Sequence, residues 1–118
     1  MSNNGPALTP PPAAPSWLPK LAKDEWKRLA QLLHENGVLQ EDTKQLFASY
    51  CLSVSAMREA EAILSREGIV VDGAVNAAFR ALNLAQKEFR ILSGELGLLP
   101  GRRPKQERRD DDDDALGL

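Results

Sequence analysis

Cysteine is nearly missing from this chain: Cys51 is the only one, which excludes an internal disulfide framework and any cysteine-rich zinc site. Histidine is equally scarce, with His34 alone, and the sequence contains neither GxxxxGK[ST] nor GxGxxG, so nothing in it cradles a nucleotide phosphate. No run of about 18 apolar residues is present, so no membrane-spanning helix is expected. The start, Met1-Ser-Asn-Asn-Gly5, has no positive region followed by an apolar stretch, and a reducing cytoplasm is the expected setting. Neither sign of charge dominates: 15 basic against 17 acidic side chains give a net −2.

A hydrolase or transferase needs a nucleophile with a base, paired carboxylates or a metal cluster. His34 falls near the end of a helical pattern, where a cation interacts favourably with the helix C-terminus. Cys51 falls on an apolar helix face and reads as a small buried hydrophobe. The five aspartates Asp110 to Asp114 lack the glycine turn and distal glutamate of a calcium loop and read as a solvated acidic tract. The expectation is a protein that is not an enzyme and carries no cofactor and no metal.

What is present is 118 residues with biased ends, leaving a core of about 80 residues that buries only around 60% of its unfolded surface. Residues 1–19 hold six of the eight prolines and no charged side chain. They read as a disordered, partly polyproline arm, with Trp17, Leu18 and Leu21 marking where it docks. Pro12-Ala-Ala-Pro15 has PxxP spacing, but a mobile linker explains the same composition and is the preferred reading.

Residues 20–100 form the helical domain. Trp26, Leu29, Ala30, Leu32 and Leu33 recur at helical spacing from Lys23 to Glu35, and Asn36-Gly37 ends that helix. A second pattern begins at Glu41-Asp42 and runs through Leu46, Phe47, Tyr50, Cys51, Val54, Met57, Ile63 and Leu64 to Glu67-Gly68, a helix of roughly 39 Å. Ile69-Val70-Val71, bounded by Gly68 and Asp72-Gly73, reads as an extended connection or a small hairpin. Asn76 is the expected N-cap of a third helix with Phe79, Leu82, Ala85, Phe89, Leu92 and Leu96 along a seam, Gly97 as its cap and Pro100 beyond. The fold class is all-α: a short first helix, then a long antiparallel helix hairpin that gains stability by homo-oligomerisation.

Residues 101–118 read as a disordered tail, basic then acidic. Arg102, Arg103, Lys105, Arg108 and Arg109 precede Asp110–Asp114. Residues 20–100 carry ten basic and eleven acidic side chains, so any nucleic-acid surface depends on arrangement. Lys20, Lys23, Lys27 and Arg28 cluster at the start of the first helix, and the spacing of the three lysines suits tracking phosphates. With Arg102, Arg103 and Lys105 they are the candidate DNA-binding residues. The acidic run competes with phosphate for the arginines, as a brake on non-specific binding or as a docking peptide for a basic partner. A helix-turn-helix is disfavoured, because the second helix is about twice too long for a recognition helix.

The order of features resembles the small terminase subunit family of tailed bacteriophages. Glu25-Trp26-Lys27-Arg28 matches its tryptophan-containing first helix. Gly37-Val38-Leu39 and Ala48-Ser49-Tyr50-Cys51 match its "gly-leu-leu … ala-x-tyr-cys" segment, and Glu95-Leu96-Gly97-Leu98-Leu99-Pro100 matches its terminal "glu-leu-gly-leu-x-pro". Ala77 stands where the family has proline after the capping Asn, and the Gly68–Asn76 connection is shorter than the family's. The resemblance implies a ring-like homo-oligomer in the host cytoplasm that recognises double-stranded viral DNA and delivers it to the large terminase subunit, which carries the ATPase and nuclease. Two rivals stand beside it, a helical protein–protein adaptor and a small dimeric transcriptional regulator.

Overall fold

The computed structural model describes residues 9–98, and the tail from Gly101 lies outside them. Three helices account for most of the described chain: α1, Lys20–Glu35; α2, Lys44–Glu67; and α3, Ala77–Glu95. A minimal hairpin of β1, Val70–Val71, and β2, Ala74–Val75, joins the last two. The fold is all-α apart from that ribbon.

Helix α1 begins at Lys20, three residues earlier than the apolar periodicity indicates. Extended Pro19 (φ −62°, ψ 161°) precedes it, and its carbonyl accepts the Lys23 N–H at 2.9 Å, so a residue without an N–H stands where no donor is needed. At the other end the Val38 N–H reaches the Leu33 carbonyl at 2.8 Å and the Gly37 N–H reaches that of His34 at 3.0 Å. Leu98 to Ser93 and Gly97 to Gly94 repeat the pattern after α3, at 2.8 and 3.1 Å. Both ends are Schellman closures, with Gly37 and Gly97 left-handed just past the cap.

Between α1 and α2 the residues Glu41–Thr43 form a single 3-10 turn, where the acidic pattern suggested continuous α-helix. Thr43 tightens it: its hydroxyl accepts the Gln40 N–H at 2.8 Å and donates to the Val38 carbonyl at 2.7 Å, drawing the chain into i→i+3 spacing.

The connection from α2 to α3 is a hairpin. Val70 pairs with Val75 and Val71 with Ala74, and the turn residues Asp72 (φ 52°) and Gly73 (φ 79°) are both left-handed, as a two-residue type I′ loop requires. The nine residues from Gly68 to Asn76 therefore suffice. Asn76 ties the junction together: its Oδ1 accepts the Ala78 N–H at 2.9 Å, and its Nδ2 donates to Glu67 Oε1 at 3.1 Å and to the Gly68 carbonyl at 3.0 Å. One side chain thus caps α3 and holds the end of α2 beside it.

The core lies where α1 packs on the first half of α2, closed by Phe89 and Leu92 of α3 and by Leu96 just past its end. Phe47 is fully buried, its ring centroid 4.6 Å from that of Trp26 and 6.0 Å from that of Tyr50, and Tyr50 meets Phe89 of α3 at 5.5 Å. Outside the arm, Ala22, Leu29, Ala30, Leu33, Leu39, Ala48, Cys51, Val54 and Leu96 complete it. The second half of the proline-rich arm belongs to this packing, a departure from the expectation of disorder over 1–19. Trp26 Nε1 donates to the Pro12 carbonyl at 3.2 Å, Ala14 packs on the core, and Leu18 is buried. The indole needs an acceptor when buried, and an extended proline backbone offers a free carbonyl. Of the three residues expected to dock the arm, only Leu18 goes in; Trp17 stays 57% exposed and Leu21 stays exposed.

Candidate nucleic-acid interface

The buried side of α1 is drawn by Ala22, Glu25, Trp26, Leu29, Ala30 and Leu33. At about 100° per residue, Lys20, Lys23 and Lys27 then fall within an arc of roughly 60° centred about 120° round from that side, with half-buried Lys23 at its border beside Ala30. Lys20 is partly engaged, with Asp24 Oδ2 at 2.9 Å across an exposed i,i+4 pair of the kind that holds little energy. Lys23 and Lys27 have no carboxylate within ion-pair distance among the described residues. The row is therefore a real geometric feature.

Arg28 is not part of it. It lies about 100° round the helix from Lys27, and its guanidinium forks onto Glu25, with Nε donating to Oε1 at 3.0 Å and the second nitrogen to Oε2. Tyr50 donates its hydroxyl to the same Oε2 at 2.8 Å, so Arg28 closes a network that crosses from α1 to α2. Glu25 is among the buried residues. The sequence pattern gave no sign of this, because an acidic residue between two apolar ones on a helix reads as solvated. Arg102, Arg103 and Lys105 lie outside the described residues.

Burial by itself favours the neutral acid at Glu25, but the bonds from Arg28 and Tyr50 and the charges of Arg28 and Arg58 outweigh it and hold the carboxyl below its ordinary range. Burial, then Glu25, pushes the Tyr50 hydroxyl up, and burial pushes the Cys51 thiol up to about 12. The consequences for stability have opposite signs. Glu25 is lowered, so its contribution is present above the ordinary 4.5 and lost as pH falls through the folded value. Cys51 is raised, so its contribution is intact below 9.0 and lost as pH climbs toward about 12. In urea titrations across pH, Glu25→Gln should flatten the acid limb and Cys51→Ala part of the alkaline limb, with Tyr50 supplying the rest. Limbs unchanged by either substitution would mean other groups carry them.

His34 is positioned for structure as well. Its Nδ1 donates to the Leu39 carbonyl at 2.9 Å, so the ring holds the chain beyond the helix rather than the last turn itself. Among the described residues no group of three or more His, Cys, Asp or Glu is placed to hold a metal, and no helix is long and apolar enough to cross a membrane.

A second cationic row went unread in the sequence. Arg80, Lys87 and Arg90 are exposed on α3, and no described carboxylate lies within ion-pair distance of them. Arg80 and Lys87 are seven residues apart and nearly eclipse, at about 20°. That heptad spacing is present in the sequence beside the apolar seam.

The family model described as phage terminase, small subunit, matches residues 22–113, a span that takes in α1 from its third residue, α2, the hairpin and α3. The chain belongs to that family. Comparison with curated proteins and with solved structures returns no match, so within this terminase small subunit the placement of each residue comes from its own fold. Membership supports a role in genome packaging.

Proposed function

We propose that this terminase small subunit recognises double-stranded viral DNA at the packaging site, assembles into a ring-like homo-oligomer, and recruits and regulates the large terminase ATPase-nuclease without catalysing a reaction itself. Its place of action is the host cytoplasm. The observation that carries the reading is the alignment of Lys20, Lys23 and Lys27 on the outer side of α1 in a chain of this family. Such a row meets successive phosphates, and symmetry multiplies weak contacts into avidity. The basic tail residues Arg102, Arg103 and Lys105 add to it.

Assembly is favoured by what the monomer leaves open. Ile69, Val70, Val71 and Val75 are all exposed on the hairpin, and a two-stranded ribbon with bare edges is marginal in water unless another surface covers it.

The test is absolute mass by light scattering, alone and with duplex DNA at two salt concentrations. A closed assembly of many copies whose DNA affinity falls steeply with salt, with a log–log slope of about −0.9 per phosphate neutralised, is the expected result. A monomer or dimer indifferent to DNA would instead favour the adaptor reading, and a DNA-binding dimer the regulator.

A further inference from the structure

The outer face of α3 combines charge with apolar surface in a way that α1 does not. Leu84 is 67% and Ile91 50% exposed, and they too are seven residues apart, about 40° from the Arg80–Lys87 line. Arg90 borders the stripe on one side, while Glu88 and Glu95 lie on the opposite flank. On α1 the exposed Leu21 and Leu32 fall more than about 90° away from the lysine row. Among the described helices, only α3 therefore presents cations and exposed large aliphatic side chains in one strip.

The same chain contains a segment of complementary make-up. Asp110–Asp114 is followed at once by Ala115-Leu116-Gly117-Leu118, five acids and then two leucines. The described chain ends at Leu98, packed beside Leu33 and Leu96 at the end of α3. From there residues 99–109 span up to about 36 Å when extended, whereas Leu96 to Arg80 is about 24 Å along the helix. The acidic run can reach every position of the stripe.

We propose that the outer face of α3, formed by Arg80, Leu84, Lys87, Arg90 and Ile91, is the docking surface for the chain's own C-terminal segment Asp110–Leu118. The aspartates meet Lys87, Arg90 and Arg80 on the side away from Glu88 and Glu95, and Leu116 and Leu118 cover Leu84 and Ile91. Charge brings the segment in, and the leucines give it a register that a bare acidic run lacks. This goes beyond the packaging reading and does not depend on DNA.

Zero-length carbodiimide coupling of the full-length protein, read by mass spectrometry, tests it. Oligomers assembled from a mixture of 14N and 15N chains separate links within a chain from links between chains. The expected product joins Lys87 Nζ to a carboxylate among Asp110–Asp114 of the same chain, and Leu84→Gln with Ile91→Gln lowers its yield several-fold while the helical content is retained. Links to Lys20, Lys23 or Lys27 in its place overturn the assignment to α3. Lys87 links found only between chains replace this occupant with a second copy's tail. No Lys87 link at all, or a yield indifferent to the two glutamines, also overturns the proposal. Because no nucleic acid enters the assay, its failure is separate from a failure of the DNA-binding reading.

Discussion

Phe47→Ala is expected to cost about 3–5 kcal/mol, the range for truncating a buried aromatic in a core that only partly collapses. Phe47 is fully buried between the Trp26 and Tyr50 rings, so its removal empties the point where α1, α2 and, through Tyr50, α3 converge. About 80 residues typically supply roughly 4–12 kcal/mol of stability, so a loss of this size is a large fraction of it. Urea unfolding followed by circular dichroism measures the effect. Leu32→Ala, half-exposed on α1, should move the midpoint little, with a change of about 0.5 kcal/mol or less. Equal losses at the two positions would show that the core is not centred on Phe47.

The second large effect concerns the lysine row. Replacing Lys20, Lys23 and Lys27 together with glutamine should weaken duplex binding and make the dependence of log affinity on log salt shallower by about 2.7, from about 0.9 per lost phosphate contact. Arg28→Gln is the informative contrast. Its guanidinium is already committed to Glu25, so the salt slope should hold while the urea midpoint falls. Fluorescence anisotropy on one duplex across a salt series reads both variants. If the arginine variant changes the slope as much as the triple lysine variant, the phosphate path runs over the Arg28 side of α1.

Helix ends, the third helix's cap and the apolar seam of α3 were all legible from local chemistry. Asn36-Gly37, Glu67-Gly68 and Asn76 act within a few residues of themselves, so a reading along the chain meets all the forces involved. The hairpin was half legible, since a two-residue turn needs both residues left-handed and Asp72-Gly73 is a pair that accepts it. Thr43 was missed because its effect depends on the Val38 carbonyl five residues back.

The candidate site divides in the same way. The one-sided placement of Lys20, Lys23 and Lys27 follows from helical periodicity once α1 starts at Lys20. Periodicity also sets Arg28 about 100° round from Lys27, but its commitment to the fold was not legible, because the Glu25 carboxylate it grips is also held by Tyr50, 25 positions further along, and the two meet only when α1 packs on α2.

The sequence by itself determined an all-α chain with three helices, their stops, the third helix's apolar seam and the motif order shared with terminase small subunits, since each is written in residues a few positions apart. Tertiary structure alone decided that Glu25 is buried and charged, that Arg28 serves the fold, that Pro12 and Leu18 anchor the arm, and that α3 turns a strip of cations and leucine-sized side chains outward. These outcomes depend on which face meets which neighbour, and that is settled by the joint burial of Phe47, Trp26 and Tyr50 rather than by any local preference.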